Sequence, residues 1–352
     1  MTARRILGAP VSWLFGAVDA FRNVAYDRGW LRVARAAVPV ISVGNIAAGG
    51  TGKTPLVEWV ARFLQERGAR VGVLSRGYGR RTTGYLLVSG ADANPDAVGD
   101  EPAQMAQTLS PTGTMPAIVI AVDEDRVRGA ERLVREHGVS VIVLDDGFQH
   151  RRLARDLDIV LLTAKELADG GALLPAGNWR EPLSSVRRAG AVVITRCVTS
   201  EIFDAARRRL PGTAAPVCGV CTRVHAIRRA APSVACDLSA LRSEKALIVA
   251  GIGDPNSFAA SLTEVGIRIV AREVFPDHHR FSDADLDRVE DTFRRSGATV
   301  IMTTQKDAVR MRSQRALQFL HELPAYTVTV RHDPVTDIGP LEALLRSVAR
   351  VA

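Results

Sequence analysis

"ISVGNIAAGGTGKTPLVEWVARFL", Ile41 to Leu64, joins an apolar run to a glycine cluster, a lysine and a helical pattern. Strand, glycine-rich turn, Gly-Lys-Thr and helix, in that order, form the context of a phosphate-binding P-loop. Gly49, Gly50 and Gly52, with Thr51 among them, let the backbone turn its N–H groups inward around phosphate oxygens. The dipole of the helix that follows adds positive potential at the same place. Lys53 is placed to reach the β- and γ-phosphates of a nucleotide, and the Thr54 hydroxyl to ligate Mg²⁺. Pro55 suits a helix start, where no N–H donor is required. One position departs from the usual pattern, which sets a glycine ahead of the Gly-Lys pair with four residues between. Ala47 stands there, with Gly44 nearby.

A second segment supports the first. "VSVIVLDDGFQH", Val139 to His150, is an apolar run ending in two carboxylates. A P-loop enzyme holds magnesium with acidic residues at the carboxyl end of a strand. Asp145 and Asp146 are therefore candidate metal-side residues.

Around these motifs, short β-branched runs alternate with helical stretches. The runs are Val38–Val43, Val71–Leu74, Ala117–Val122, Val139–Leu144, Leu157–Leu162 and Ala191–Thr195; the helices are Pro55–Arg67, Glu101–Leu109, Arg126–His137 and Glu201–Leu210. Continuous apolar strands between helices predict an α/β fold, a P-loop NTPase-like parallel sheet with helices on both faces. Pro211, Gly212 and Pro216 interrupt the pattern, and a second alternation starts at Ala246–Pro255 and repeats at Ala298–Asp307. This predicts a second, smaller α/β domain. The expected division is an N-terminal helix in 1–30, a P-loop domain in 31–214, an extended linker in 215–232, the smaller domain in 233–324, and a return strand and closing helix in 325–352.

Composition narrows the function. The chain has 352 residues, 47% hydrophobic, with net charge +8, enough for two cores and suited to an anionic partner. Only four of its 46 basic residues are lysines, so Lys53 and Lys306 stand out by their motif contexts. The arginines are spread along the chain without aromatic interleaving, which argues against nucleic acid as the partner. The four cysteines are too few for a disulfide framework, and Cys218-Gly-Val-Cys221 is a lone pair without a second half for zinc. "RRILGAPVSWLFGAVDAF", Arg4 to Phe21, has a basic start and an apolar run too short to span a bilayer. It suits either a helix lying in a membrane interface or one packed on the protein's own core.

The acceptor of the phosphate is named by a resemblance. "GNIAAGGTGKTP", "SRGYGR" (75–80), "GDEP" (99–102), "LDDGFQHRRLARDLDIVLL" (144–162), "LLPAGNWREP" (173–182), "GIGDPNSF" (251–258), "FPDHHRFS" (275–282) and "TTQKDAVR" (303–310) occur in that order. The ordered set resembles the tetraacyldisaccharide 4′-kinases of lipid A biosynthesis, from about residue 5 to the C-terminus. The missing P-loop glycine fits that family, which does not need it. The resemblance implies transfer of the γ-phosphoryl group of ATP, with Mg²⁺, to the 4′-hydroxyl of a tetraacylated glucosamine disaccharide 1-phosphate. It further implies work at the cytoplasmic face of a bacterial inner membrane. That favours the membrane reading of the N-terminal helix and suits a basic protein on an anionic leaflet. No obligate protein partner is implied.

Residue roles carry over motif by motif. Lys53 and Thr54 match the phosphate and Mg²⁺ contacts. Asp100 in "GDEP" resembles the family's base, and His278 in "FPDHH" the residue that orients it; His279 is the alternative match. Glu101, Asp145 and Asp146 would organise the metal. Arg76, Tyr78, His150 and Arg180 would bracket the substrate. Lys306-Asp307 reads as an ion pair or helix start and stays outside the catalytic set. The rival reading is a partitioning-type P-loop ATPase acting on membrane or nucleic acid, but Ala48 stands where its signature lysine belongs. A GTPase would need Asn-Lys-x-Asp, which "TTQKD" does not supply, and "GIGDPNSF" lacks the spacing of a dinucleotide loop.

Overall fold

The computed structural model describes residues 3–90, 93–109, 117–231 and 233–351; the side chains of residues 1–9, Arg4, Ile6 and Leu7 among them, lie outside the described part. The chain forms two compact units, Met1–Cys221 with His332–Ala352, and Thr222–Arg331.

The first unit is built on eight strands: β1 (Val40–Asn45), β2 (Val71–Ser75), β3 (Leu86–Val88), β4 (Val119–Val122), β5 (Val141–Asp145), β6 (Leu157–Thr163), β7 (Ala191–Thr195) and the start of β8 (Val217–Arg229). Their order is β8-β7-β6-β1-β5-β2-β4-β3, parallel throughout except for the β3 edge. β1 and β5 are buried along their whole length, as expected of strands covered on both faces. β1 lies between β5 and β6, and the connection out of it runs to one side while β6 lies on the other. β1 thus marks the point of strand-order reversal, where α/β sheets bind ligands at the strands' carboxyl ends.

Helix α1 (Ala3–Asp27) precedes the sheet, and α2 (Lys53–Gln65) follows β1. α2 buries Leu56, Val57, Val60, Ala61, Phe63 and Leu64, a spacing of one helical face. Leu341 and Leu345 of the closing helix Gly339–Ala349 belong to the same core. The short α3 (Pro95–Val98) and then α4 (Asp100–Thr108) precede β4, and α5 (Arg126–His137) precedes β5. α5 is capped by Asp125, whose carboxylate accepts from the N–H groups of Val127 and Arg128, and ends at Gly138 in a left-handed conformation.

The second unit holds β9 (Ala235–Cys236), β10 (Lys245–Ala250), β11 (Arg268–Val274), β12 (Val300–Thr304) and β13 (Ala325–Pro334) up to Arg331. β11, β10, β12 and β13 are parallel neighbours in that order. Two expected boundaries shift. Within the segment 215–232, Val217–Arg229 is one long strand rather than a linker: Val217–Gly219 pairs with β7, and Ile227–Arg228 with β9. The segment 325–352 divides at Arg331, because β13 pairs with β12 before that point, whereas Val335 and Thr336 beyond it bond to Gly219 of the first unit.

α1 is amphipathic in reverse. Its buried positions include Ser12 and Asp19, with Gly16 and Asn23 half-buried on the same face, while Val11, Trp13, Leu14, Val18 and Phe21 are exposed. The Ser12 hydroxyl donates to the Leu173 carbonyl and accepts from the Ala176 N–H. A Cβ on Gly16 would come within 2.7 Å of Leu173. Among the described residues, the apolar side chains of α1 face outward, which does not fit the alternative of an amphipathic helix packed on the protein's own core. No described helix is long and apolar enough to cross a membrane.

Candidate active site

The phosphate loop runs from Ile46 to Lys53. Gly49 has φ +126° and Gly52 φ +88°, backbone states that suit glycine. Gly52 has a second reason: a Cβ there would lie 2.7 Å from the His332 ring. Ala47 is fully buried and bridges Trp179, and the Ala48 N–H donates to the Asn178 carbonyl. Ala47 is not among the positive-φ positions, so the substitution for glycine there brings no strain. The Asn45 side-chain amide donates to the Thr51 hydroxyl at 2.9 Å.

The turn after β5 abuts this loop because two glycines allow it. A Cβ on Gly44 would meet the Phe148 backbone N at 2.8 Å, and one on Gly147 would meet the Ser42 hydroxyl at the same distance. Phe148 is buried under the Arg188 guanidinium. The Gln149 amide donates to the Asn45 carbonyl and to Glu181.

Charge is concentrated where strand and loop meet. The Lys53 ammonium lies 3.6 Å from Asp146, and Arg180 donates to the other carboxylate oxygen at 2.8 Å. Burial pushes the Asp146 carboxyl up, but Lys53 and Arg180 outweigh it and hold the group below the usual range. Asp146 sits at φ +53°, a sparsely populated state that concentrates at functional sites. Asp145 is fully buried and accepts from Ser75 at 2.8 Å. Burial, with the charges of Glu101 and Asp146, raises its pKa. Its Oδ1 has no hydrogen-bond partner, nor has Oδ1 of Asp146. Buried carboxylate oxygens without donors are what a divalent cation would satisfy. Among the described residues no three His, Cys, Asp or Glu side chains gather to cage an ion. A magnesium ion held partly by phosphate oxygens and water needs no such cage.

The remaining first-unit candidates fall on neighbouring loops. Gly77 and Gly99 touch backbone to backbone, about where a Cβ on Gly99 would be 3.0 Å from Gly77. That contact joins the loop carrying Arg76 and Tyr78, both exposed, to the start of α4 with Asp100 and Glu101. Asp100 is the first residue of α4, with Gly99 its cap, and with Glu101 it places negative charge in the helix's first turn. His150 is half-buried, its Nε2 lacks a partner, and burial with Arg126 and Arg152 lowers its pKa to about 4, leaving it neutral. Arg126 was not suggested by any motif. It is 3% exposed and donates to the carbonyls of Asp123 and Asp145, supplying positive charge behind the carboxylate pair.

In the second unit, His279 is tied into packing: its Nε2 is 2.9 Å from Asp285, and its ring stacks on Phe275. His278 has φ +63° and is more open, with Lys306 Nζ 3.3 Å from Nε2 and an Arg310 nitrogen 3.4 Å from Nδ1. Lys306, set aside on motif grounds, is thus a neighbour of the histidine, and it also pairs with Asp277 at 3.5 Å. The two histidines therefore differ in setting: His278 has the positive φ, and His279 is held by Asp285 and Phe275.

Chemistry of this kind, a phosphate loop at the reversal point of a parallel sheet beside carboxylates short of donors, defines a P-loop phosphotransferase. Comparison with known proteins carries this to a family. A family model described as tetraacyldisaccharide-1-P 4'-kinase matches residues 4–349. The tetraacyldisaccharide 4'-kinase of Anaeromyxobacter dehalogenans is 41% identical over 308 residues, covering 84% of this chain and 79% of the relative. That of Chlorobaculum tepidum is 37% identical over 353 residues, 98% of both chains. The crystal structure of LpxK from Aquifex aeolicus in complex with ATP has a TM-score of 0.75 and 31% identity, covering 98% of this chain and 99% of that one. The chain belongs to the tetraacyldisaccharide 4'-kinase family. Its activity is ATP-dependent phosphorylation of the lipid A disaccharide precursor at the 4′-hydroxyl.

Proposed function

We propose that the loop Gly49–Thr54 holds the β- and γ-phosphates of ATP, and that Lys53 leaves Asp146 to meet them. The observation that carries this is the Lys53–Asp146 contact of 3.6 Å beside an Asp145 oxygen with no donor. The ammonium is already at the phosphate end of the loop, on a carboxylate it can exchange for a nucleotide. Mg²⁺, held through Thr54, Asp145, Asp146 and Glu101, would neutralise charge on the β- and γ-phosphate oxygens.

In the transfer, the 4′-hydroxyl oxygen forms a bond to the γ-phosphorus while the bond to the β–γ bridging oxygen breaks, and ADP leaves. Asp100 takes the hydroxyl proton, and His278 is assigned to the same proton transfer. Arg180, which already orients Asp146, and Arg76, Tyr78 and His150 contribute to holding the anionic substrate. Positioning and charge neutralisation supply most of the rate in phosphoryl transfer. The loss from removing Lys53 should therefore exceed that from removing Asp100.

The exposed apolar face of α1, with Trp13 77% and Phe21 67% exposed, supports seating in the interface of an anionic leaflet at the cytoplasmic face of the inner membrane. No obligate protein partner enters this reading. A labelled-ATP assay with detergent-solubilised acylated disaccharide phosphate, followed by mass analysis of the lipid, tests it. The lipid should gain one phosphate. ATP turnover stimulated instead by DNA, with the lipid unchanged, would support the partitioning-ATPase reading.

A further inference from the structure

Three consecutive carbonyls of the phosphate loop each accept a hydrogen bond from outside it. An Arg196 guanidinium nitrogen donates to Gly50 O at 2.6 Å, the Thr195 hydroxyl to Thr51 O at 2.9 Å, and His332 Nε2–H to Gly52 O at 2.8 Å. Thr195 is fully buried at the end of β7 and His332 is 8% exposed on β13. Neither lies in a motif that binds phosphate, and neither is near Lys53 in sequence. Arg196 adopts φ +60°, an uncommon state for a residue with a side chain.

Each peptide unit is planar, so its carbonyl and the N–H of the next residue point opposite ways. Fixing the carbonyls of Thr51 and Gly52 outward on donors therefore turns the N–H groups of Gly52 and Lys53 to the other side, where a phosphate would bind; the Thr51 N–H donates to Gly49 O at 3.0 Å, so Arg196 on Gly50 O fixes the turn ahead of those two amides. We infer that Thr195, Arg196 and His332 are positioning residues that hold the loop amides ready for the nucleotide, with His332 the member that sets the Gly52–Lys53 peptide. A carbonyl only accepts, so the proton of His332 is on Nε2. Burial lowers the pKa of His332 despite its bond to Gly52 and keeps the imidazole neutral. Pre-orientation of this kind appears as affinity because the ordering cost is met before the ligand arrives. The inference rests on the reading of this loop as the ATP site.

The test uses the full-length protein and a fluorescent ATP analogue to measure nucleotide affinity, with KM for ATP, KM for the acylated disaccharide phosphate and kcat measured separately. His332→Ala should weaken nucleotide binding by about tenfold, the worth of one well-placed hydrogen bond. KM for the lipid should stay within about twofold, whereas general damage to the fold would move both. His332→Gln, whose amide nitrogen can take the place of Nε2, should restore most of the affinity; His332→Asn, too short to reach Gly52, should not. Should His332→Ala fail to fold, Thr195→Val keeps the side-chain shape without the donor and is read in the same way. Wild-type nucleotide affinity in the folded Ala or Val variant, or equal losses in the Gln and Asn variants, would overturn the inference. Lys53→Met separates the two layers: if it binds the analogue normally, the loop is not the ATP site, and if it alone loses binding, only the positioning role fails.

Discussion

At the scale of single residues, the site is a balance of charges that the phosphate is expected to disturb. Asp146 is held ionised by Lys53 and Arg180, and Asp145 is pushed toward protonation by burial and neighbouring carboxylates. The proposed base and its helper make a sharper statement. If Asp100 and His278 serve one proton transfer, each alanine variant should lower kcat by roughly 10²-fold or more with little change in KM for ATP. The double variant should be no slower than the worse single one, because groups acting as a unit do not add. Multiplicative losses in steady-state kinetics would show instead that the two act separately. Of the proposed site residues, Lys53, Thr54, Asp145 and Asp146 could be nominated from the sequence because strand, loop and helix are contiguous in it. Asp100 and His278 became legible only through the ordered set of motifs. Arg126, Thr195 and His332 were not legible: Arg126 reaches Asp145 across 19 residues, and Thr195 and His332 reach the loop across 144 and 280, and no motif records such contacts.

At the scale of elements, α2 joins the phosphate loop to the rest of the unit, and one buried carboxylate links it to α4. Glu58 accepts from the Thr108 hydroxyl at 2.6 Å, and Arg62 of the same helix donates to the Thr108 carbonyl. Burial raises the Glu58 pKa from 4.5 to about 7, against the lowering effects of Thr108 and Arg62. A carboxyl raised in the folded state binds its proton more tightly there than when unfolded. Its stabilisation is therefore fully present below pH 4.5 and is lost as pH rises through about 7. Glu58→Gln should be close to neutral near pH 4.5 and stabilising at pH 8, by on the order of 1–3 kcal/mol. Denaturant midpoints at the two pH values check this; a difference independent of pH would contradict it. The strands around β1 were readable as unbroken apolar runs. β3 and β11 were not, since β3 has three residues and β11 (RIVAREV) mixes charge into a half-exposed edge. The boundary at Arg331 was hidden because β13 is one continuous strand whose two ends bond in different units.

At the scale of the whole molecule, the reversed amphipathicity of α1 carries the proposed membrane contact, apart from the proposed catalytic residues. Ser12 and Asp19 seat the helix, while Trp13 and Phe21 face outward. Replacing Trp13 and Phe21 together by glutamate should cut binding to anionic phospholipid vesicles by about tenfold or more, through lost apolar insertion and added repulsion. Nucleotide affinity and melting temperature should not change; vesicle flotation beside a nucleotide titration measures both. The central claim is that this loop grips the end of a triphosphate and passes its last phosphoryl group to a lipid sugar. Its most direct test is the rate at which ³²P moves from γ-labelled ATP to the acylated disaccharide, compared between the wild type and Lys53→Met. The ammonium is assigned both to the β- and γ-phosphates of the bound nucleotide and to the charge that builds in transfer, so the variant should lose roughly 10³-fold or more. Labelled lipid accumulating at the wild-type rate in Lys53→Met would contradict the account.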